Sequence, residues 1–363
     1  MASCRNHGEV EPLQVTSPFS FFVCQHGAEP TIKAALCEPA GHHRLAFSRD
    51  GFVTLKGPSP LNIWSPELPG GPFVRARGHA LKRFDGPDIV PRVEQLLGEY
   101  VGLDWTAIHV WQRDPVEVGW RGFEPDHSVS SREVAGALTQ SLQQRQDPRA
   151  GQVNVDARVG QRVLDIILVD REHWWTGAHP VVERADGWPG GTFSMPAPEN
   201  MVSRAYLKLA EALAWSGLPV RPGDHAVEIG SAPGGACQRL LELGLHVTGI
   251  DPAEMAPEVL AHPRFQHWRA RSLQLKRRLF QPFRWLFCDA NVAPDYTLDT
   301  VESIVTYPGN QFAGLLLTIK LSDWHQVRDL DQQLARVRSW GFTRVTARQL
   351  AHNRREFCLA ARR

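Results

Sequence analysis

A short apolar strand that breaks into a glycine-rich loop constrains the C-terminal half of this 363-residue chain. Residues 225–229 predict the strand, the loop reads Gly230-Ser-Ala-Pro-Gly-Gly235, and a second strand at 245–250 is followed by Asp251. A strand, a glycine loop, a helix and a strand that ends on an acid form the pattern of a nucleotide-type cofactor site at the edge of a parallel sheet. The pattern therefore predicts an α/β domain with such a site.

The letters of the loop argue against a dinucleotide cofactor. A pyrophosphate site uses G-x-G-x-x-G, so that bare backbone N–H groups can bind the phosphates. Here only Gly230 precedes Pro233, which has no N–H and fixes its own backbone angle. We therefore predict a cofactor without phosphates, S-adenosylmethionine, with Asp251 accepting hydrogen bonds from its ribose hydroxyls. The alternative is a tight turn that binds no ligand.

Strand and helix signals alternate through the rest of this half, which predicts a mostly parallel, doubly wound sheet. The last two strands are separated by only a few residues, and this predicts an antiparallel hairpin because parallel neighbours need a long crossover. Asp251, Asp289 and Lys320 follow or end parallel strands, and Glu356 begins the antiparallel one, so we expect all of them at one edge. The predicted strands are 225–229, 245–250, 265–268, 284–288, 315–320, 343–347 and 355–360.

Two Pro/Gly-rich stretches, at 56–72 and 185–198, predict the domain boundaries. We expect an N-terminal α+β region at 1–70, a second α+β region at 71–184, a linker at 185–200 and the cofactor domain at 201–363. Trp174 and Trp175 could offer a stacking platform for bases, but paired tryptophans after a strand favour buried packing. Strands are predicted at 19–25, 44–48, 51–56, 107–112, 153–157 and 162–169, with helices from 29, at 91–101 and from 131.

Charge is divided unevenly along the chain. Residues 201–363 contain 21 Lys and Arg against 15 Asp and Glu, a net charge of +6, whereas residues 1–200 contain 19 against 24, a net of −5. The basic residues beside the cofactor loop are either a solvated face or a rim that contacts nucleic-acid phosphates. They are Arg264, Arg269, Arg271, Lys276, Arg277, Arg278 and Arg284.

The six cysteines are scattered without a C-x-x-C pair, and the histidines show no zinc-ligand spacing. We therefore expect reduced thiols and no metal site. Apolar runs fall short of the roughly 18 residues that a membrane span needs, and the N-terminus lacks the apolar core of a signal peptide. These features together predict a cytoplasmic protein that does not enter a membrane.

Several dispersed motifs resemble those of the RrmJ/FtsJ-type RNA ribose 2′-O-methyltransferases. They are S-R-A-Y-L-K-L-A-E at 203–211, the loop at 230–235, C-D-A at 288–290, I-K-L at 319–321 and R-R-E-F at 354–357. The resemblance implies a Rossmann-like methyltransferase fold over about 200–363 and a Lys-Asp-Lys-Glu tetrad at Lys208, Asp289, Lys320 and Glu356. On this hypothesis Lys320 orients and deprotonates the ribose 2′-hydroxyl or stabilises its alkoxide. Asp289 would position Lys320 and the methyl donor, and Glu356 would hold Lys208 or the ribose.

Within this family, a small N-terminal region with a THUMP-like unit followed by a linker is similar to members that methylate a cytidine ribose of 23S rRNA. The implied partner is therefore 23S rRNA or its precursor, and the oligomeric state stays open. The chain departs from the family at Arg271, where an acid near the adenine is usual, which leaves backbone groups or Ser272 as alternatives. The predicted cofactor contacts are Gly230, Ser231, Ala232, Pro233, Gly234, Gly235, Asp251, Arg271 and Asp289.

Other functions predict different residues. A cytosine-C5 methyltransferase needs a cysteine nucleophile, and at this edge only Cys288 is placed for it, within a strand where packing is expected. An exocyclic-amine methyltransferase would carry an Asn/Asp-Pro-Pro-Tyr-like motif where this chain has Asp289-Ala-Asn-Val. A non-catalytic RNA-binding ribosome-assembly factor with this fold is the remaining alternative, and its signature would be a broken tetrad or loop.

Overall fold

The computed structural model describes residues 15–37, 41–125 and 128–363. Within these ranges the backbone forms two sheets of seven strands each, one in each half of the chain. The predicted α/β fold, with a mostly parallel Rossmann-like sheet in the C-terminal half, is confirmed.

The N-terminal sheet has the strand order β2-β3-β1-β4-β7-β6-β5, with β5 and β6 parallel and the other neighbouring pairs antiparallel. Helices α2 and α3 pack against it through buried side chains such as Leu96 and Leu138. The elements are β1 (Thr16–Val23), α1 (Glu29–Cys37), β2 (Arg44–Arg49), β3 (Phe52–Asn62), β4 (Ala76–Asp85), α2 (Ile89–Glu99), β5 (Ala107–Gln112), α3 (Val129–Gln144), β6 (Arg162–Leu168) and β7 (His173–Pro180).

The predicted boundary between residues 70 and 71 falls in the connection from β3 to β4. Both of these strands pair with β1, so the regions on either side of the boundary contribute to one sheet. The division at this boundary, with a THUMP-like RNA-binding region at 71–184, stays a prediction.

Two central strands, β4 and β7, carry no strand signal in the sequence. Gly78 of β4 and Gly177 of β7 both lie under the ring of Phe21, where a Cβ atom would approach it to 2.5 and 2.4 Å. Glycine is depleted in strands, so the two glycines that this close packing requires weaken the strand signal in the sequence. Trp174 is fully buried and the ring of Trp175 packs near Phe47, which confirms the predicted packing role of the pair.

Two local predictions in this half are wrong. The strand predicted at 51–56 is longer, because Gly57-Pro-Ser-Pro60 also belongs to β3. These residues lie beyond the part of β3 that pairs with β2, and prolines are tolerated on such an unpaired edge. Residues 153–157 form no strand beyond a single bridge from Val153 to Ile108. Asn154 has a left-handed backbone (φ 55°), and its side chain accepts from the Val110 N–H at 2.6 Å and donates to the Val110 carbonyl, replacing the ladder.

The C-terminal sheet has the order β10-β9-β8-β11-β12-β14-β13. The five strands β8 to β12 run parallel to one another. Strand β14 is antiparallel to both β12 and β13, which confirms the predicted hairpin. The elements are α4 (Ala205–Ser216), β8 (His225–Ile229), α5 (Gly235–Glu242), β9 (His246–Ile250), α6 (Pro257–Leu260), β10 (Phe265–Trp268), β11 (Trp285–Cys288), α7 (Pro294–Val305), β12 (Gly314–Lys320), α8 (Leu330–Ser339), β13 (Arg344–Arg348) and β14 (Glu356–Arg362).

The first part of the predicted linker is packed against the protein. Trp188 is buried, and Gly190 lies against the ring of Trp111 on the N-terminal sheet. Beside it, the Arg348 guanidinium donates to the Arg75 carbonyl at 2.6 Å. The two halves therefore share buried polar contacts next to the C-terminal end of β13.

Candidate active site

The ends of four strands bring charged residues to one edge of the C-terminal sheet. Asp251 follows β9, Asp289 follows β11, and Lys320 ends β12. Glu356 begins the antiparallel β14 and lies directly opposite Lys320 in the strand register. Ligands bind at this edge in open α/β sheets, where the loops after parallel strands leave a crevice.

Helix α4 adds Lys208 to this edge, and the four predicted tetrad residues meet as a closed cluster of two ammonium and two carboxylate groups. Lys208 Nζ lies 3.3 Å from an oxygen of Asp289 and 2.5 Å from Oε1 of Glu356. Lys320 Nζ lies 3.0 Å from Asp289 Oδ1 and also bonds Glu356 Oε2. Each lysine thus bridges both carboxylates, and each carboxylate is shared by both lysines.

The cluster fixes the charge of its members. Burial acts to raise the pKa of Asp289, but Lys208 and Lys320 outweigh it, and the pKa lies below the usual value. The same opposition, with Lys208 as the larger attractive partner, holds the pKa of Glu356 below its usual value. Burial acts to lower the pKa of Lys320, whereas Asp289 and Glu356 raise it above the usual value. Near neutral pH, Lys320 is therefore an ammonium group and both partners are carboxylates.

Three further residues support the tetrad, and the sequence motifs do not predict this role for them. Asn353 donates to Glu356 Oε1 at 3.1 Å. Buried Glu211, one turn after Lys208 on α4, accepts from the backbone N–H groups of Ala351 and His352. Gln25, from the N-terminal half, donates to the Leu350 carbonyl at 3.0 Å. Glu211 could have been found, because its spacing from Lys208 places both on one helix face, whereas Gln25 has no motif.

The loop Gly230–Gly235 turns tightly between β8 and α5, and its glycines permit close approach. A Cβ atom on Gly230 would lie 2.7 Å from Ala290 Cα, and one on Gly235 would lie 2.2 Å from Ser203 Oγ. Gly234 and Ser231 are buried, whereas Ala232 is partly exposed and Pro233 is exposed. The loop thus holds α4, α5 and the residue after Asp289 together while presenting its tip at the edge that carries the tetrad, called the catalytic edge below after its predicted role.

The donor set at this edge fits S-adenosylmethionine. Asp251 is partly exposed and anchors the loop, because its carboxylate accepts from the Ala232 N–H at 3.2 Å and from the Ala253 N–H at 2.8 Å. Two carboxylates, Asp251 and Asp289, favour a cationic sulfonium and ribose hydroxyls and disfavour a pyrophosphate.

The predicted adenine end lies farther along the edge, after β10. Arg271 is exposed there, and the neighbouring Ser272 is buried. Arg264, Arg269 and Arg277 of the basic group donate to nearby backbone carbonyls, so they partly stabilise their own loops. The roles of Arg271 in adenine binding and of the basic rim in phosphate binding stay predictions.

Burial keeps two groups near the tetrad, a thiol and a carboxyl, in their protonated forms. Burial raises the pKa of the Cys288 thiol to about 12, so it stays protonated and packs in the core. A thiol is a nucleophile only as the thiolate, which argues against a cytosine-C5 mechanism. On β8, burial raises the pKa of Glu228 to about 8, and the Cys237 thiol donates to it at 2.8 Å. Glu228 is thus mostly a neutral acid at pH 7.

Among the residues that the structure describes, no cluster of three or more His, Cys, Asp or Glu side chains could hold a metal ion. No helix in the described ranges is both long and apolar enough to span a membrane.

Comparison with known proteins identifies the relatives of this chain. The model of the FtsJ-like methyltransferase family matches residues 201–318. A protein of Xanthomonas axonopodis pv. citri, named ribosomal RNA large subunit methyltransferase M, is 31% identical over 364 aligned residues, covering 94% of this chain and 98% of that protein. A protein of the same name from Halorhodospira halophila is 33% identical over 217 residues, covering 58% of this chain and 61% of that protein.

The fold and the site together define the class of an FtsJ-like, S-adenosylmethionine-dependent methyltransferase. The full-length match places it more narrowly, and the chain belongs to the family of ribosomal RNA large subunit methyltransferase M proteins. This membership confirms the family predicted from the dispersed motifs.

Proposed function

We propose that the protein transfers a methyl group to the 2′-hydroxyl of a ribose in RNA, and that its substrate is a cytidine of 23S rRNA or its precursor in the cytoplasm. The observation that carries the proposal is the closed cluster of Lys208, Asp289, Lys320 and Glu356 beside the glycine loop. The names of the relatives, which act on large-subunit ribosomal RNA, support the choice of substrate.

The loop Gly230–Gly235 and Asp251 would hold S-adenosylmethionine, which supplies a methyl group already activated on a sulfonium. The protein's remaining task is to hold the hydroxyl oxygen in line with that methyl carbon, and such alignment can supply much of a rate enhancement. The rigid strand register of Lys320 and Glu356 suits this task.

The raised pKa of Lys320 favours one of its two predicted roles. As an ammonium group, Lys320 can donate a hydrogen bond to the 2′-oxygen and stabilise the negative charge that develops as the hydroxyl passes its proton to solvent water, which reaches the partly exposed Lys320 and Asp289 side chains. Acting as the base would first require Lys320 to lose the proton that Asp289 and Glu356 help it retain. Asp289 then positions Lys320, and Glu356 holds both lysines.

The test combines mapping with two variants of one residue. Ribose methylation should disappear from one position of large-subunit rRNA in cells that lack the gene and return with the wild-type protein. Purified Lys320→Met should lose at least about 100-fold in kcat, as expected on removal of a charge stabiliser, while calorimetry shows unchanged S-adenosylmethionine binding. Lys320→Arg, which donates but does not accept a proton, should retain more activity than Lys320→Met.

Three outcomes would contradict the proposal. Unchanged rRNA methylation in cells without the gene would favour a non-catalytic assembly factor. Full activity of Lys320→Met would show that methyl transfer does not depend on Lys320, which would rule out the tetrad mechanism. Equal loss in both Lys320 variants, with cofactor binding intact, would favour the base role.

A further inference from the structure

A closed turn of the N-terminal half lies against the catalytic edge and carries an exposed tryptophan. The Gly119 N–H donates to the Phe123 carbonyl at 2.6 Å, and the Phe123 N–H donates back to the Trp120 carbonyl at 3.0 Å. The side chain of Trp120 at the tip of this turn is 50% exposed. A single exposed apolar side chain is common on protein surfaces, so the case for a ligand at Trp120 rests on where the turn lies and on which groups surround the ring.

The turn is fixed to residues that adjoin the tetrad. Glu124 pairs with Arg204 Nε at 2.5 Å, and Arg204 is one helical turn before Lys208. Gly119 lies against the Arg354 guanidinium, where a Cβ atom would be 2.4 Å from Nη2. Since the backbone N–H of Arg354 itself donates to Glu356 at 3.4 Å, the turn is one residue away from a tetrad carboxylate.

The backbone of the turn adopts an unfavourable conformation that presents this side chain. Arg121 has a φ of 48°, in the left-handed region that residues with a Cβ atom rarely adopt, and it lies between Trp120 and the left-handed Gly122. The Arg121 guanidinium lies 4.3 Å from the centre of the Trp120 ring. Both side chains are exposed, so burial does not offset the backbone strain. Strain of this kind persists most often where function uses it.

Arginine side chains outnumber acidic ones around the turn, where Glu117 and Glu124 are each paired with an arginine. Arg354 and Arg355 are exposed at the same edge, next to Glu356. Arg355 pairs only loosely with Glu117, at 3.7 Å. A flat π surface bordered by guanidinium groups is the combination with which proteins bind unpaired nucleic acid, because bases stack on the ring and phosphates meet the cations.

We propose that Trp120, with Arg121 against its ring, is a stacking platform for an unpaired RNA base next to the nucleotide that is methylated. The inference rests on the proposed function for the identity of the substrate. It adds a specificity element supplied by the N-terminal half: a nucleotide reaches Lys320 only from RNA whose neighbouring base is free to stack.

The test measures RNA binding and methylation separately in the full-length protein. Trp120→Ala should weaken binding of a labelled single-stranded RNA about 5- to 150-fold, the range for loss of one stacked base. It should raise KM for rRNA similarly, with kcat and S-adenosylmethionine affinity unchanged. Trp120→Phe should restore most of the affinity. The slope of log Kd against log salt should not change, because no phosphate contact is removed.

Tyr307→Ala is the matched control, since Tyr307 is an exposed aromatic residue that follows α7, near the opposite edge of the sheet. It should leave RNA affinity unchanged. Equal RNA affinity of Trp120→Ala and wild type, with equal melting temperatures, would overturn the platform. A wild-type protein that binds single-stranded RNA through Trp120 but methylates none would overturn the proposed function and leave the platform standing.

Discussion

Lys320 shows how a single residue is tuned by opposing effects. Its ammonium group loses solvation through burial, which favours the neutral amine, but two carboxylates within hydrogen-bonding distance favour the charged form and prevail. The sequence could place Lys320 at the right strand end, yet the direction of its pKa shift depends on distances between residues far apart in the chain. The role proposed for Lys320 therefore depends on the tertiary structure and not on its position in the sequence alone.

Glu228 offers a residue-scale prediction about pH. Its pKa is raised from 4.5 to about 8, so the folded protein retains a proton that the unfolded chain releases, and stability falls as pH rises through this window. Glu228→Gln removes the titration. The melting temperature of Glu228→Gln relative to wild type should therefore increase steadily from pH 4.5 to pH 8 and then level off, as measured by calorimetry.

A matched control for this prediction is Glu258→Gln on α6, where the carboxylate is exposed. Its melting temperature relative to wild type should stay nearly constant over the same pH range. A pH-independent difference for Glu228→Gln as well would show that Glu228 is ionised in the folded protein.

At the scale of elements, two reasons for a glycine can be separated: the backbone conformation that it permits and the close packing that its missing side chain permits. Gly230 and Gly217 both have left-handed backbones, with φ of 78° and 61°, but a Cβ atom would meet Ala290 only at Gly230 and open space at Gly217. Gly217→Ala should lower the free energy of unfolding by about 1–2 kcal/mol from the backbone alone and keep normal kcat. Gly230→Ala should lose more stability and most of its S-adenosylmethionine affinity, because the segment after Asp289 must shift. Equal effects of the two substitutions in thermal melts and cofactor titrations would contradict this view of the loop.

The elements also show what a sequence can and cannot predict. The strands of the C-terminal sheet were predicted because alternating apolar strands and helices with a glycine loop carry strong local signals. In the N-terminal sheet, β4 and β7 were missed because Gly78 and Gly177 make room for Phe21, a contact between strands that no local pattern contains. The strand predicted at 153–157 does not form, because the Asn154 side chain makes the hydrogen bonds to Val110 that the backbone of a strand would make.

Over the whole molecule, the N-terminal half contributes to the catalytic edge through buried polar contacts. The turn between β13 and β14 precedes Glu356, and its Leu350 and Ala351 carbonyls accept from the Gln25 side chain at 3.0 and 3.3 Å, as does the Asn353 carbonyl. Asn353 in turn donates to Glu356. The motifs predicted that Lys208, Asp289, Lys320 and Glu356 lie together, but this support was not predictable because it joins residues more than 300 positions apart.

Gln25→Ala should therefore impair catalysis from a distance. The carbonyls of the turn would lose a buried donor, which costs about 1–3 kcal/mol of stability, and Glu356 would be less well positioned. Because misplacement by about 1 Å can reduce a rate 100-fold, we expect kcat to fall about 5- to 100-fold at temperatures well below melting. S-adenosylmethionine affinity should be unchanged, because Gln25 bonds carbonyl groups at 350–353, a turn that contains none of the predicted cofactor contacts. Gln95→Ala, on the exposed face of α2, should have normal kcat. A normal kcat for Gln25→Ala in the folded protein would mean that Gln25 does not position Glu356.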